Sequence, residues 1–569
     1  MIARSDALQA LASEQFDVVV VGGGITGAGV AFDASTRGYS VALVERADFA
    51  AGTSSRSSKL VHGGLRYLQN FDLGLVREAL LERQLMVALA PHLVHPLPLV
   101  VAAFEGARPD RLTGVGLNLY DVLTVERLRG RPRPPRQRLR GRQPSPAAGA
   151  AADVSEWSPE RHRVISGAEV LELVPALASR EPTSGYLFYD CQTDDVRLVL
   201  TVLGEAERFG AVCANGVEVI ELVQESGRAV GVRVREAGSG EEFVVRAANV
   251  VNATGVWADR LRPEELHDEA EVPRIRPSRG THITVQHEAL PLAAGGAIVP
   301  AGGGRSIFAL PWLGRTLLGT TDNDFEGTLD DVHVPPAAAD IEYLLDACNA
   351  YFGTSLAESD LTGAYAGVRP LISTGDPKKS VDISRKAELY ETSSGMVTIT
   401  GGKLTTWRRM AKMTVDRLVD REARDAPCRT QAIPLGAPVE VADLPRVDGV
   451  DEAAYTALAG RYGHAAHDVL TVAREHPELA EPIVSDLPDL LAEVAFAARR
   501  EQARSLGDVL LRRTRLGLLA ARELGADGPV VERVAGALGR ELGWDAGEVA
   551  AQREAWRAEA RAEGVTGSA

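Results

Sequence analysis

The sequence predicts a mixed α/β (α+β) protein with a separate helical region at its C-terminus. A strand, a glycine-rich turn, a helix and a second strand follow one another within the first 45 residues, and this pattern is typical of a βαβ unit. Alternating hydrophobic runs farther along the chain indicate a second, mixed sheet. From about residue 451 the chain is rich in Ala, Glu, Arg and Leu with few β-branched runs, which predicts helices.

Size, charge and cysteine content exclude several classes of protein. A chain of 569 residues with 45% hydrophobic and 25% charged residues fits a globular protein of about two to four domains. The net charge of −16 argues against a protein that binds nucleic acid over its whole surface. The four cysteines are far apart and form no CxxC pair, so we expect a reducing cytoplasm and no disulfide framework. Histidine pairs lack a third ligand, so no metal site is predicted.

The longest uncharged stretch near the N-terminus is too short for a membrane span. Residues 18–32 carry no charge, but fifteen residues, five of them glycine, do not cross a bilayer core of about 30 Å. Glu14 and Asp17 stand where a signal peptide carries basic residues. We therefore expect a cytoplasmic protein that reaches a membrane only from its surface.

The βαβ unit carries a GxGxxG pattern with a carboxylate at the end of its second strand. Strands are predicted at 16–21 and 40–44, with a helix at 25–37 between them. Gly22 permits the tight turn, Gly24 lets the backbone approach a pyrophosphate, and Gly27 lets the helix approach the strand. Glu45 can accept both ribose hydroxyls, which favours an unphosphorylated adenosine ribose. The pattern thus predicts a Rossmann-like domain that binds FAD or NAD.

Two polar segments follow this unit and bear on the choice between FAD and NAD. Residues 53–59 are rich in hydroxyl groups, and residues 62–67 contain two glycines. Such segments suit a second wall around a long dinucleotide and a flavin ring, although composition alone also fits a plain polar loop. Further strands are predicted at 217–222, 230–234, 243–251, 282–285, 306–310 and 316–319.

A series of short motifs follows the three glycines along the chain. They are TSSRSSKLVHGGLRYL (53–68), YDCQTDDVRLVL (189–200), VVNATGVWAD (250–259), GTHITV (280–285), GTTD (319–322), GVRPL (367–371), ITGGKLTTWRRMA (399–411) and SLGDVLLRRTRLG (505–517). In this order the motifs resemble the FAD-dependent glycerol-3-phosphate dehydrogenase family of the aerobic, quinone-linked type. The resemblance runs from about residue 16 to 420 and continues into the helical tail. Residues 127–165 depart from the family pattern.

The resemblance implies a Rossmann-like FAD-binding domain interleaved with a substrate domain built on a mixed, largely antiparallel sheet. We expect the FAD domain at about 14–110, 185–275 and 360–425, the substrate domain at about 111–184 and 276–359, and a helical C-terminal domain at 441–569. The cofactor residues implied by this resemblance are Gly22, Gly24, Gly27, Glu45, Thr53, Ser54, Ser58, Lys59, His62, Val217, Ala253, Gly255, Gly402, Lys403, Leu404 and Thr405.

The implied reaction oxidises sn-glycerol 3-phosphate to dihydroxyacetone phosphate, with hydride transfer from C2 to flavin N5 and a quinone as electron acceptor. Arginine suits a phosphomonoester because its planar fork binds phosphate in bidentate fashion. The resemblance places Arg66, Arg369 and Arg385 around the substrate, with Tyr67 as a hydroxyl donor. Asp322 is predicted to contact the substrate or to orient a basic partner, and a simple turn carboxylate is the alternative.

Three further residues are candidates for the chemical step. Lys403 follows two glycines at a predicted helix start, where a cation would favour a reduced flavin. Loss of the hydroxyl proton needs a base, and His282, in a predicted strand, is our candidate. His62, in the motif that faces the flavin, competes with it for this role.

Other functions and partners remain open at the level of sequence. An oxidase that delivers the electrons to oxygen is the nearest alternative, followed by an amine or amino-acid oxidase of the same fold and by a non-catalytic nucleotide-binding protein at a membrane. Residues 127–142 hold eight arginines and three prolines, which indicates an exposed loop that either is solvated or contacts anionic lipid. The basic stretch at 499–515 is a second candidate for lipid contact. The sequence also leaves a homo-oligomer open.

Overall fold

The computed structural model describes residues 1–64, 73–105, 111–125, 161–261, 274–329, 332–373, 387–525 and 528–565. The helices are α1 (Arg4–Ser13), α2 (Ile25–Thr36), α3 (Leu73–Leu89), α4 (Arg111–Val125), α5 (Gly167–Leu173), α6 (Asp195–Arg208), α7 (Ala338–Phe352), α8 (Trp407–Glu422), α9 (Glu452–Tyr462), α10 (Ala466–Glu475), α11 (Leu491–Arg500), α12 (Leu516–Leu519), α13 (Ala521–Leu524), α14 (Pro529–Leu542) and α15 (Ala546–Glu563). The strands are β1 (Gln15–Val21), β2 (Val41–Val44), β3 (Leu60–Val61), β4 (His95–Ala103), β5 (Arg163–Ser166), β6 (Ser184–Gln192), β7 (Val212–Ala214), β8 (Val217–Glu225), β9 (Arg228–Glu236), β10 (Glu242–Asn252), β11 (Arg274–Gln286), β12 (Gly296–Pro300), β13 (Ser306–Trp312), β14 (Arg315–Gly319), β15 (Asn323–Asp324), β16 (Leu361–Ser373), β17 (Ala387–Glu391) and β18 (Val397–Gly401).

The predicted βαβ unit forms the centre of the first sheet. Its strands run in the order β17–β18–β10–β1–β2–β7, and β18, β10, β1, β2 and β7 are parallel to one another. The hairpin of β8 and β9 extends the sheet beside β10 in antiparallel fashion. The valine run of β1 is buried on both faces, as expected for the inner strand of a parallel sheet. The fold class predicted from the first 45 residues is confirmed.

Helix α2 packs against α6 and α8 through a face of small residues. A side-chain carbon at Gly29 would lie 2.6 Å from the ring of Trp407 in α8, so only glycine permits this approach. The helix ends at Arg37, and Gly38 follows with a φ of +85°. Close packing of α2 and α8 brings the start of α8 to the same edge of the sheet as the glycine turn.

The second sheet corrects the predicted division of the chain. It runs in the order β15–β11–β14–β13–β12–β4–β6–β3, with β16 beside β11 and β5 beside β6. The pairing is antiparallel except where β12 meets β4, so the sheet is mixed as predicted. However, β3, β4, β6 and β16 belong to this sheet, although the prediction places their residues in the FAD domain. Each of these strands returns to the second sheet by long-range pairing, which composition does not encode.

The C-terminal helices pack against the second sheet. Their core includes Tyr455, Leu470 and Leu510, and it is continuous with Leu99 and Trp312 of the sheet. The basic stretch at 499–515 is mostly not a surface for lipid. Its Arg512 and Arg513 are buried in ion pairs with Asp48, and Arg515 is buried against Asp195. Among the described residues, no helix combines the length and apolarity that a membrane span requires.

Candidate active site

The glycine turn and Glu45 lie where the sequence places them. Gly22 has a φ of +111°, and a side-chain carbon there would lie 2.7 Å from the carbonyl oxygen of Ala253. At Gly27 such a carbon would lie 1.9 Å from the carbonyl oxygen of Gly22, so both positions require glycine. Glu45 accepts hydrogen bonds from the backbone N–H groups of Gly23 at 2.7 Å and Ala47 at 2.9 Å. The carboxylate is thereby fixed at the end of β2.

A cavity of about 300 Å³ opens beside this turn. Its lining is drawn from the start of α2, the end of β2, the segment at 51–57, the start of β8, the segment that follows β10 and the residues at 399–404. Predicted cofactor residues that line it are Gly22, Gly24, Glu45, Thr53, Ser54, Val217, Ala253, Gly255, Gly402, Lys403 and Leu404. A helix N-terminus with close backbone approach and a fixed carboxylate is the donor and acceptor set that a dinucleotide requires. These residues fit FAD.

A smaller cavity of about 170 Å³ adjoins the first. Both cavities are lined by Thr53, Ser57, Pro370, Gly402, Lys403 and Leu404, so the two share a wall. The predicted residues Ser58, His62, His282, Arg369 and Thr405 line only the smaller one. The candidate base and the candidate phosphate ligand therefore face one pocket next to the dinucleotide cavity.

One face of the β11–β16 ladder builds this pocket. His282 stands opposite Tyr365, Gly280 opposite Gly367, and Ser278 opposite Arg369. Because side chains alternate along a strand, these three pairs project from the same face. The paired glycines leave room for two arginines, because an added side-chain carbon at Gly367 would lie 2.6 Å from Cβ of Arg56. At Gly280 an added side-chain carbon would lie 2.4 Å from Nη2 of Arg369.

His282 is buried and is held on two sides. Its Nε2 lies 2.9 Å from Oγ of Ser58, and its ring stacks on Tyr365 with centroids 4.8 Å apart and an interplanar angle of 12°. Burial, with the nearby cations of Lys59 and Arg369, holds the pKa of His282 well below its usual range. The imidazole is therefore neutral near pH 7.

Arg369 is held by the turn that follows β14. Its Nη1 donates to Oδ1 of Asp322 at 3.3 Å, and its Nη2 donates to Oγ1 of Thr320 at 3.1 Å and to the carbonyl oxygen of Thr321 at 3.2 Å. Asp322 lines neither cavity. The carboxylate of Asp322 is turned toward Arg369 and Ser278, which fits the predicted orienting role, and its contact with the substrate stays a prediction.

Lys403 lies at the junction of the two cavities. It directly precedes the short turn Leu404–Thr406, which leads into α8, so the expected helix start is displaced by one turn. The Thr405 hydroxyl accepts a bond from the His62 N–H and donates to the His62 carbonyl, both at 3.2 Å. This reciprocal pair joins the 62–64 segment to the start of α8.

Lys59 does not face the cofactor cavity, contrary to the prediction. Its side chain is fully buried, and Nζ donates to Oδ2 of Asp195 at 2.8 Å and to the carbonyl oxygen of Ser55 at 2.6 Å. A positive φ of 60° at Lys59 turns the chain after Ser58, which directs the two side chains to different sides. The serine reaches the pocket and the lysine does not.

Four predicted features lie outside the described residues: Arg66, Tyr67, Arg385 and the arginine-rich loop at 127–142. The structure also adds residues that the sequence analysis missed. Trp257 lines the larger cavity, and Arg46 stacks over its ring at 4.7 Å. Tyr365 stands four residues before Arg369, and the period of two along this strand is the signal that could have revealed it.

Comparisons with known proteins agree with this geometry. Residues 17–417 match the family described as FAD dependent oxidoreductase, and residues 397–549 match the C-terminal domain of alpha-glycerophosphate oxidase. The chain is 37% identical over 555 residues to glycerol-3-phosphate dehydrogenase 2 of Mycobacterium tuberculosis, covering 96% of this chain and 88% of that protein. It is 35% identical over 578 residues to the mitochondrial glycerol-3-phosphate dehydrogenase of Arabidopsis thaliana, covering 95% and 85%.

A solved structure shows the same likeness over the whole chain. The glycerol-3-phosphate dehydrogenase from Bacillus halodurans, complexed with FAD, superposes with a TM-score of 0.73 at 27% identity and covers 99% of this chain and 98% of that one. The family expected from the ordered motifs is thereby confirmed, together with its cofactor. This chain belongs to the FAD-dependent oxidoreductases and, within them, to the glycerol-3-phosphate dehydrogenase family.

Proposed function

We propose that this protein oxidises sn-glycerol 3-phosphate to dihydroxyacetone phosphate in the pocket between His282 and Arg369. The observation that carries the proposal is the shared face of β11 and β16, which presents an imidazole and a guanidinium to one cavity of about 170 Å³. That cavity shares a wall with the FAD cavity. A three-carbon phosphomonoester offers a phosphate to one of these groups and a hydroxyl proton to the other.

Arg369 is the proposed phosphate ligand. Its contacts with Asp322, Thr320 and Thr321 fix the plane of the guanidinium, a quarter of the side chain is exposed, and the residue lines the pocket. A fixed planar fork binds phosphate oxygens with less loss of side-chain entropy than a flexible cation. Arg66, Tyr67 and Arg385 are proposed to complete the substrate contacts.

His282 is the proposed acceptor of the hydroxyl proton, because its neutral imidazole lines the pocket. FAD supplies the hydride acceptor when it is bound. Lys403 lines both cavities, so its ammonium can offset negative charge where substrate and cofactor meet. His62 lines the same pocket and stays the competing base.

The decisive experiment is anaerobic reduction of the purified yellow enzyme by a panel of substrates. We expect glycerol 3-phosphate to bleach the flavin absorbance, and glycerol, lactate and amino acids to leave it unchanged over the same time. Bleaching by an amino acid in preference to glycerol 3-phosphate would contradict the proposal. The variants His282→Gln and His62→Gln distinguish the two bases, since only loss of the true base should slow bleaching at saturating substrate.

A quinone is the proposed electron acceptor, and oxygen is the second candidate. Quinone is supported by the resemblance of the ordered motifs, whereas oxygen is favoured by the match of residues 397–549 to a domain of an oxidase. Turnover in the presence of a short-chain quinone is compared with hydrogen peroxide release in air. We expect quinone reduction to exceed peroxide formation, and the reverse ratio would make the protein an oxidase.

Peripheral contact with anionic lipid is proposed for the loop at 127–142, which holds eight arginines. Deleting this loop should reduce co-sedimentation with anionic vesicles while turnover with a soluble dye survives. Unchanged co-sedimentation would leave the loop without this role.

A further inference from the structure

A buried charge cluster lies directly behind the candidate active site. Asp195, at the start of α6, accepts a bond from Nζ of Lys59 at 2.8 Å and a bond from Nη2 of Arg515 at 3.0 Å. All three side chains are completely buried. Arg515 precedes α12 in the C-terminal domain, and it also donates to the carbonyl oxygen of Ser55 at 2.8 Å. One carboxylate thus holds two cations beside the segment that lines both cavities.

The ring of Tyr365 connects this cluster to the candidate base. Nζ of Lys59 lies 4.8 Å from the centre of the Tyr365 ring, and the same ring stacks on the imidazole of His282. The Tyr365 hydroxyl donates to the carbonyl oxygen of Ser57 at 2.8 Å, which fixes the plane of the ring. The ammonium therefore reaches the imidazole through one aromatic ring and not through the substrate pocket.

We propose that Lys59 is a positioning residue of the active site, which acts on the His282 imidazole through Tyr365 and is itself held by Asp195 and Arg515. The inference rests on the role of His282 in the proposed function. Because Arg515 lies in the C-terminal domain, the proposal means that this domain contributes to the electrostatic environment of His282.

The sign of the effect follows from the groups that face His282. The imidazole contacts Ser58 and Tyr365, and the charges that lower its pKa are those of Lys59 and Arg369. Arg56, His62 and Lys403 line the same pocket, and Asp322 holds Arg369. Burial and then Arg515 lower the pKa of Lys59 to about 7, against the opposing effect of Asp195. Lys59 is therefore charged in the acidic range, where it opposes protonation of His282. Removal of that charge should raise the pKa of the imidazole.

The test replaces the charge and keeps the packing. Lys59→Gln retains a hydrogen-bond donor toward Ser55 and Asp195, and Lys59→Met retains only the length of the side chain. Lys412→Gln is the matched control, because Lys412 forms an exposed ion pair with Asp416 on α8. For each FAD-loaded variant, kcat/KM for glycerol 3-phosphate is measured from pH 5 to 9 with a soluble dye as acceptor.

We expect the acidic limb of the profile to move up by about 0.5 pH unit or more in both Lys59 variants and to stay in place in the control. A limb that stays within 0.2 unit of wild type would overturn the proposal, as would loss of bound FAD in both Lys59 variants, which would give the cluster a structural role alone. A structural defect lowers kcat/KM at every pH without moving the limb.

A second measurement separates this inference from the proposed function. The protein has 11 histidines, and labelling their rings gives NMR signals, of which the His282 signal is the one lost in His282→Gln. Its titration is followed in the FAD-loaded enzyme without substrate, so it does not depend on which alcohol is oxidised. A midpoint raised by Lys59→Gln supports the proposal even if glycerol 3-phosphate is not the substrate. The titration is carried down to pH 3, and a His282 midpoint that is the same in wild type and in Lys59→Gln would contradict the proposal.

Discussion

Asp322 Oδ1 lies 3.3 Å from Nη1 of Arg369 and accepts a second hydrogen bond from Oγ of Ser278 at 2.6 Å. Ser278 and Arg369 stand opposite each other on β11 and β16, so the carboxylate ties the guanidinium to the strand register. The direction in which Arg369 points is therefore set by three elements that are far apart in the sequence. This arrangement makes the orientation of Arg369 testable apart from its charge.

Asp322→Asn should weaken substrate binding without removing the arginine. The ion pair is partly exposed, so we expect a loss of about 3- to 10-fold in kcat/KM for glycerol 3-phosphate, mainly through KM. Asp324→Asn is the control, because Asp324 pairs with Arg276 at an exposed edge of the same sheet. Equal kinetics in Asp322→Asn and wild type would show that Arg369 needs no such support.

Arg369→Ala should cost about 10- to 100-fold in kcat/KM, which corresponds to a charge-assisted hydrogen bond of roughly 1.5–3 kcal/mol. Arg369→Lys keeps the charge and loses the fork, so a smaller loss is expected. Part of the loss should appear in kcat, because a loosely held substrate leaves the reacting geometry. The control is substrate choice: the Ala variant should lose most of the preference for glycerol 3-phosphate over glycerol. A preference that is fully retained would place the phosphate elsewhere.

Gly280→Ala should act on Arg369 from the opposite strand. The added carbon would lie 2.4 Å from Nη2 of Arg369 and 2.6 Å from Oγ1 of Thr320, so the guanidinium must move. We expect at least about a 10-fold fall in kcat/KM, since one misplaced phosphate ligand is enough for such a loss, while FAD content stays normal. Gly204→Ala, in α6, is the control because no atom lies within 4 Å of the added carbon. If both variants have the kcat/KM of wild type, the activity does not depend on the exact position of the Arg369 guanidinium.

Glu45→Gln should weaken FAD binding. In the native protein two backbone N–H groups, of Gly23 and Ala47, point at the carboxylate, and an amide cannot accept both bonds and also serve the ribose. We expect an approximately 10-fold higher Kd for FAD, measured by reconstitution of apoprotein and flavin fluorescence. Glu45→Arg should lose more. Glu221→Gln is the control, because Glu221 forms an exposed ion pair on β8. Full flavin occupancy in Glu45→Arg would refute the assignment of Glu45 to the ribose.

The buried carboxylate of Glu563, at the end of α15, should make the free energy of unfolding depend on pH. Glu563 receives both guanidinium N–H groups of Arg56 at 2.5 Å and contacts His333. Burial opposes its ionisation, but Arg56 and His333 outweigh burial and hold the pKa of Glu563 at about 2. Because the folded pKa lies below the unfolded one, this contribution is complete above about pH 5 and is lost as the pH falls toward 2.

Glu563→Gln should accordingly lower the stability by about 3 kcal/mol at pH 7, and the difference from wild type should shrink below pH 4. Thermal unfolding of both proteins is followed from pH 3 to 8. Glu554→Gln on the same helix breaks only an exposed pair with Arg557 and should have little effect at any pH. A difference between Glu563→Gln and wild type that is constant with pH would contradict the assignment.

The local parts of the site could be predicted from the sequence because they follow from short-range rules. A strand, three glycines, a helix and a terminal carboxylate lie within 30 residues, and a βαβ unit has one compact way to arrange them. Gly22, Gly24 and Glu45 therefore lie where the pattern places them. His282 and Arg369 were found through ordered motifs, and the alternation of side chains along β11 and β16 then places them on one face.

What only the tertiary structure decided is the pairing between distant segments. The sequence by itself determined the dinucleotide turn, the two strands beside it and the helical C-terminal region, because hydrophobic period and glycine spacing act within one element. It did not determine that Lys59 turns away from Ser58, that Asp322 supports Arg369, or that Arg515 reaches the active-site segment. Each of these features depends on an ion pair between residues more than 40 positions apart in the sequence. The free-energy cost of an unpaired charge arises only when folding buries it, so local sequence does not show which residues will pair.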